Sequence, residues 1–156
     1  MEPLTIFGLQ FLFSLLVYSL IAKWLVIPKL HSLPRDKALF WLILPHTSRH
    51  IGLSFLVPGL AVAPLDSTFS MPTAYGDLLS AILALLTIFA LRSGRKGALA
   101  LVWLFNVVGT VDLLIALSHP EMVPKFGAVW FIPTMLVPLL LVSHFLIFKQ
   151  LLSRQA

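Results

Sequence analysis

Apolar runs of about 20 residues, separated by short polar or basic segments, restrict the fold of this chain more than any other feature. The hydrocarbon core of a bilayer is roughly 30 Å thick, and about 20 apolar residues of α-helix cross it. The composition, 59% hydrophobic and 11% charged with a mean hydropathy of +0.99, excludes a water-soluble globular domain. We therefore expect an all-α, polytopic membrane helical bundle, built as a single transmembrane domain over residues 1–156.

The apolar runs predict five transmembrane helices and an orientation. They cover residues 4–27, 38–63, 74–91, 98–117 and 126–148. In this arrangement one side of the membrane receives Lys23, Lys29, Arg35, Lys37, Arg92, Arg95, Lys96, Lys149 and Arg154, and only Lys125 lies opposite. The positive-inside rule then predicts an N-terminus outside and a C-terminus inside. The formal net charge of +5 reflects this orientation, so we expect no nucleic-acid partner.

Polar and ionisable side chains within these runs predict where a ligand would bind. The candidate ligand-binding residues are His46, Arg49, His50, Asp77, Asn106, Asp112 and His144. At 100° per residue, α-helical geometry places His46, Arg49, His50 and Leu53 on one face of the second span. The same geometry gives the third span a polar stripe of Thr73, Asp77, Ser80, Ala84 and Thr87. Ionisable groups inside membrane spans usually face the interior of the bundle.

Arg49 is predicted to lie near the middle of the membrane, where an unpaired charge costs at least ~2.5 kcal/mol. It should therefore have an acidic partner. A rise of 1.5 Å per residue brings Asp112 within reach and leaves Asp77 nearer the headgroups. We expect Asp112, rather than Asp77, to pair with Arg49.

His46 and His50 are four residues apart, the spacing of two metal ligands on one face of an α-helix. The metalloprotease pattern H-E-x-x-H is absent and there is no cysteine, so we expect no metal site, with His46, His50 and His144 as the weak candidates. A b-type haem held between His144 and His46 or His50 is a further possibility. The cofactor, if one binds, is otherwise unknown.

Four motifs carry a resemblance to a known kind of protein. They are residues 45–52 (PHTSRHIG), 75–78 (YGDL), 103–112 (WLFNVVGTVD) and 130–138 (WFIPTMLVP). They resemble motifs of small uncharacterised bacterial polytopic integral membrane proteins, and the resemblance covers most of the chain after the first span. It implies a location in the bacterial inner membrane and brings no activity with it.

Three functions fit these residues, and whether the chain is an enzyme stays open. The first is binding or transport of a small anionic or proton-coupled ligand. The second is a membrane-embedded enzyme or b-type haem protein acting on a lipophilic substrate. The third is a structural or accessory membrane subunit. The expected partners are the lipid bilayer and a small-molecule or lipid ligand, and the chain is also compatible with an oligomer.

Overall fold

The computed structural model describes residues 1–153, which fold into helices without any β-strand. Arg154, which entered the charge count above, lies outside the described residues. The α-helices are α1 (Pro3–Ile21), α2 (Ile27–His31), α3 (Arg35–Ile43), α4 (Ser67–Arg92), α5 (Ala98–Leu117) and α6 (Val137–Leu152). Four continuous helices are long and apolar enough to span a membrane, namely Pro3–His31, Ser67–Arg92, Ala98–Leu117 and Gly127–Leu152.

Two of these long helices contain a π-helical turn just before a proline. Ala22–Val26 joins α1 to α2 ahead of Pro28, and Ile132–Leu136 precedes α6 ahead of Pro138. A proline ring clashes with the carbonyl four residues earlier, and a widened turn relieves this clash without ending the helix. The first long helix therefore runs to His31 rather than to residue 27.

The second predicted span has a different structure. It begins as α3 and changes after Ile43 into a 3₁₀ helix over Leu44–Leu56, with Pro45 in its first turn. A 3₁₀ run of 13 residues is long, because such helices rarely exceed three or four residues. It ends before Pro58, so the predicted boundary at residue 63 is wrong, and residues 57–66 are non-helical.

The third span begins earlier than predicted. α4 starts at Ser67 rather than near residue 74, because the Asp66 side chain accepts a hydrogen bond from the Thr68 backbone N–H (2.8 Å) and caps the helix. Pro72 consequently lies inside α4 and not in its first turn. The bounds of α5 agree with the predicted 98–117.

The bundle has two chemically distinct ends. At the basic end, which carries residues 28–37, 92–97 and 149–153, Arg35 Nη2 donates to the carbonyl of Leu151 (2.8 Å). At the opposite end, the Val62 N–H donates to the carbonyl of Lys125 (3.0 Å), so residues 57–66 pack against the connection between α5 and α6. We call this second end the cavity end. The polar residues discussed next lie between the apolar clusters of the two ends.

Candidate functional site

Four elements of the bundle meet at the guanidinium of Arg49. Its Nε donates to Asp77 Oδ1 on α4 (2.8 Å), and its Nη2 donates to Asp112 Oδ2 on α5. Its Nη1 donates to the carbonyl of Gly109 (3.0 Å) and lies 3.4 Å from His144 Nε2 on α6. Asp112 is therefore a partner of Arg49, as predicted, but the exclusion of Asp77 was wrong. Positions along the helices do not reveal how closely α4 approaches the 3₁₀ helix, and this approach brings Asp77 to Arg49.

Asn106 on α5 fixes the orientation of His144. Asn106 Nδ2 donates to the His144 carbonyl (3.3 Å), which leaves Asn106 Oδ1 to accept from His144 Nδ1 (2.7 Å). With its hydrogen on Nδ1, a neutral imidazole presents a lone pair at Nε2, the atom that faces Arg49. The network therefore surrounds the guanidinium with acceptors on three helices.

The 3₁₀ helix decides which residues of the second span face this network. Its buried residues are His46, Arg49, Gly52 and Phe55, every third residue. At three residues per turn, positions i and i+3 lie on one face, whereas i+4 is rotated away. His50 is consequently exposed and bonds only to the Thr47 carbonyl (3.0 Å), so the predicted α-helical face containing His50 and Leu53 is wrong.

Three glycines allow the charged groups to approach the neighbouring backbone. A Cβ atom at Gly52 would overlap the carboxylate of Asp77 and lie 2.7 Å from its Cγ. A Cβ at Gly76 would overlap the carboxylate of Asp112, and one at Gly109 would lie 2.9 Å from Arg49 Nη1. Gly52 and Gly76 are not among the site residues predicted from the sequence. Gly52 stands three residues after Arg49, and Gly76 stands directly before Asp77. These positions in the sequence were the signal that could have identified them.

The polar interior continues past Arg49 towards the basic end. His46 is fully buried and packs against the rings of His144 and Phe105, with centroid distances of 4.2 and 5.0 Å, and these two rings also contact each other at 5.4 Å. Neither ring nitrogen of His46 has a hydrogen-bond partner within the described residues, and the same is true of the buried hydroxyl of Ser80. Thr73, Asp77, Ser80, Ala84 and Thr87 are all buried, so α4 turns its predicted polar stripe inward.

The arrangement of the histidines does not fit a haem. An iron ligated by both His46 and His144 would have to lie between their imidazoles, but these rings are in contact. Both nitrogens of His144 already face Asn106 and Arg49, and His50 points out of the bundle. Within residues 1–153 there is also no group of three or more His, Asp or Glu side chains placed to hold a metal ion.

A cavity of about 60 Å³ reaches the site from the cavity end. Asp77, Asp112, Thr73 and His119 are its polar lining residues, whereas Arg49 does not line it. The carboxylate side chains retain 10% and 15% of their accessible surface, and that of Arg49 retains none. A molecule in the cavity would therefore meet the carboxylates first, with the guanidinium behind them.

Phenylalanine side chains form much of the cavity wall. Phe55, Phe69 and Phe126 pack around one another with ring centroids 5.7 to 5.9 Å apart, and Phe7 of α1 packs on Phe126 at 6.2 Å. These rings come from the 3₁₀ helix, α4, the α5–α6 connection and α1. The cavity thus has walls of aromatic rings. We call its inner end, formed by the carboxylates of Asp77 and Asp112, the floor of the cavity.

Comparison with curated proteins and with solved structures finds no significant match. A family model described as "Domain of unknown function (DUF8737)" matches residues 6–152. This range contains all the helices that contribute to the Arg49 network, from the 3₁₀ helix to α6. The chain therefore belongs to the DUF8737 family.

Proposed function

We propose that this chain is a membrane protein that binds a proton at the Asp77 and Asp112 pair beside Arg49 and couples it to the binding or transport of a small solute. The observation that carries the proposal is that two carboxylates, backed by one fully buried guanidinium, form the floor of the cavity. This is the proton-coupled form of the first function that the sequence indicates.

The charge balance of the cluster favours a proton. One guanidinium and two ionised carboxylates sum to a net charge of −1 among apolar helices, and a buried uncompensated charge is strongly unfavourable. Two carboxylates that share a site resist being ionised together, so they hold one proton as a pair. His144 does not change the balance, because its hydrogen bonds are those of a neutral imidazole.

The accessibility of the cluster argues against an anionic ligand. An anion would need to reach the guanidinium, but four of the five guanidinium N–H groups face Asp77, Asp112, Gly109 and His144. An anion in the cavity would instead approach the two carboxylates and be repelled. The geometry therefore supports the proton-coupled alternative over the anionic one.

His46 and Ser80 favour the passage of a proton or solute through the bundle, in addition to its binding at the cluster. Each lies about one helical turn from the cluster, on the side towards the basic end, and each has buried polar atoms without a protein partner. Polar side chains that are otherwise costly within the membrane commonly mark the path of an ion or solute. The cavity provides access from one end, and these residues extend the polar interior towards the other.

In this proposal the chain crosses a bacterial inner membrane five times, with the N-terminus outside. Besides the four long helices, the segment from Arg35 to Leu56 is the additional crossing, second in chain order, and its 9 α-helical and 13 3₁₀ residues extend about 40 Å. Because the chain has no cysteine, single cysteines at Ser67 and Ser93 can be labelled specifically. They should react from opposite sides of the membrane, and labelling from the same side would contradict the arrangement.

Infrared spectroscopy of the protein in lipid bilayers tests the shared proton. Wild-type protein should show a protonated carboxyl band that disappears as the pH is raised. Asp77→Asn and Asp112→Asn should each lose this band, yet each should fold, because Arg49 then keeps one ionised carboxylate and the cluster is neutral. Asp66→Asn, which removes an exposed carboxylate at the same end of the bundle, is the matched control and should retain the band.

The proposal also predicts the folded yield of the variant that lacks both carboxylates. The double variant Asp77→Asn/Asp112→Asn strands the guanidinium, at a cost of at least ~2.5 kcal/mol on insertion scales, and should lose folded yield. A wild-type protein without any protonated carboxyl at every pH where it is folded would refute the proposed function.

A structural lock is the second candidate, and the position of Arg49 favours it. This one side chain joins the 3₁₀ helix to α4, α5 and α6. If the cluster only fixes helix register, both carboxylates are ionised and each single Asn variant breaks a buried pair. Folded yield should then fall in each as it does in Arg49→Leu, by an amount corresponding to about 3–5 kcal/mol.

A further inference from the structure

We infer that the cavity binds a small organic monocation, an ammonium group carrying an apolar body, with the charged group against Asp77 and Asp112. The inference rests on the proposed function, because the cation takes the place of the shared proton. It adds a class of ligand to the site, which proton binding alone does not specify.

The charge at the floor of the cavity selects a monocation. With its proton the cluster is neutral, and without it the cluster carries a charge of −1. One positive charge therefore restores neutrality, whereas a dication would leave an excess positive charge. Asp77 and Asp112 supply the hydrogen-bond acceptors, and the ammonium N–H groups supply the donors.

The walls select a cation with an apolar body. Phe55, Phe69 and Phe126 form a continuous aromatic surface, and the faces of aromatic rings attract organic cations within about 6 Å of their centroids. A strongly hydrated metal cation would gain little from such walls. An alkyl or aryl ammonium instead buries its apolar body against the rings and presents its charge to the floor.

The surroundings of the cavity attract cations. Every acidic residue of the chain except Asp36 lies at the cavity end or lines the cavity: Glu2, Asp66, Asp77, Asp112 and Glu121. His119 at the cavity lining is paired with Glu121 (2.8 Å). Lys125 lies at the same end, but the carboxylates outnumber it, and an excess of one sign of charge around a cleft raises the local concentration of oppositely charged solutes. The volume of about 60 Å³ restricts the enclosed part of the ligand to a small group.

Binding is an exchange of one cation for another. The ammonium enters, one carboxyl of the pair releases its proton to water, and the cluster is neutral before and after. The other ionisable groups that face the pair are Arg49 on the 3₁₀ helix and His144 on α6, with His119 at the lining of the cavity. Arg49 stays charged throughout, so the released proton comes from the Asp77 and Asp112 pair.

Three probes of the same shape and different charge test the inference on the full chain in lipid nanodiscs. They are benzylamine, which is a cation at neutral pH, benzyl alcohol, which is neutral, and benzoate, which is an anion. Calorimetric titration in weak buffer with a pH indicator reports affinity and proton release together. Benzylamine should bind about tenfold or more tightly than benzyl alcohol and release about one proton, while benzoate should not bind.

Variants distinguish the contribution of the two carboxylates to binding from that of the aromatic walls. Asp77→Asn and Asp112→Asn should each abolish proton release and weaken benzylamine binding about tenfold or more. Phe69→Leu should weaken binding of benzylamine while proton release per bound molecule is unchanged. Phe13→Leu removes a ring that is 69% exposed on the outside of α1, and it is the control that should alter neither.

Several outcomes would overturn the inference. They are absence of benzylamine binding, equal binding of benzoate, or benzylamine binding that both Asn variants leave intact. If the infrared band of the shared proton is present and benzylamine does not bind, the ligand class is wrong and the proposed function stands. If the band is absent from the wild type, the proposed function has failed first.

Discussion

α5 and the 3₁₀ helix contribute to the same polar network, yet they follow different periodicities. In α5, Asn106, Gly109 and Leu113 are buried with Val102 and Phe105, spacings of three and four residues that are typical of an α-helix. In the 3₁₀ helix the buried positions recur strictly every third residue. The 3₁₀ helix is also the more polar of the two, with six His, Thr, Ser or Arg residues among its 13, whereas α5 has only Asn106, Thr110 and Asp112 among its 20.

The two helices differ in which of their parts make the close contacts at the site. Gly52 lets the 3₁₀ helix approach Asp77 so closely that no side chain fits between them. The three-residue repeat then brings His46, Arg49 and Gly52 to one buried face, on which Arg49 and Gly52 meet Asp77 of α4. In α5 the carbonyl of Gly109 and the side chain of Asp112 reach Arg49 without any change of helix type. A close backbone approach on one side of the site thus accompanies the unusual helix.

The largest effect should come from adding a methyl group at Gly52. Gly52→Ala places Cβ against the short side chain of Asp77, 2.7 Å from both its Cβ and its Cγ, so the backbone must move and stability should fall by about 3 kcal/mol.

Gly109→Ala in α5 is the comparison variant. Its Cβ meets the ends of the longer Arg49 and His144 side chains, so this substitution should cost less stability. Melting temperatures in detergent give the order. Gly8→Ala, with no atom within 4 Å, is the control and should not destabilise. An equal loss at Gly52 and Gly109 would contradict this account of the 3₁₀ helix.

Asn106→Leu should have the next largest effect, since it removes both hydrogen bonds between Asn106 and His144. The buried Nδ1 of His144 then loses its partner, at a cost of about 1–3 kcal/mol in unfolding free energy. Thermal unfolding of the purified variant measures this loss. Thr110→Val, which alters a hydroxyl bonded only to the Asn106 carbonyl in its own helix, should change stability much less. Similar losses in both variants would show that Asn106 does not orient His144.

His46 and His50 distinguish the two periodicities directly. An α-helix would place them on one face, so replacing either would have similar effects. In the 3₁₀ helix, His46→Leu removes two buried nitrogens that lack protein partners and should raise the unfolding free energy by about 1 kcal/mol. His50→Leu changes an exposed side chain and should leave stability within about 0.5 kcal/mol of wild type. Equal destabilisation by both would favour the α-helical face.

Asp66→Ala should have the smallest effect, because it changes only the N-terminal cap of α4. The hydrogen bond from the Thr68 backbone N–H lowers the pKa of the Asp66 carboxyl below its usual value. The cap is therefore fully present above the pKa of the unfolded chain and is lost as the pH falls through the lower pKa of the folded state. The small difference in melting temperature between wild type and variant should vanish from neutral pH to about pH 2. A difference independent of pH would exclude a contribution of the carboxylate.

Much of the architecture follows from local sequence properties. The bounds of α5 follow from its apolar run, and the inward stripe of α4 from Thr73 to Thr87 follows from the spacing of its small and polar residues. The pairing of Arg49 with Asp112 follows from their similar depth. The start of α4 at Ser67 was missed, because hydropathy averages over the polar residues that a cap makes helical.

The sequence by itself determined that the chain is an all-α protein with helices long and apolar enough to span a membrane and that ionisable residues lie within them. It did so because apolar content and α-helical periodicity are local properties that need no partner. Only the tertiary structure decided that residues 44–56 form a 3₁₀ helix, that Asp77 joins Asp112 on Arg49, and that the carboxylates rather than the guanidinium face the cavity. These features depend on how closely glycine-containing backbones approach across helices, a distance that no single segment encodes.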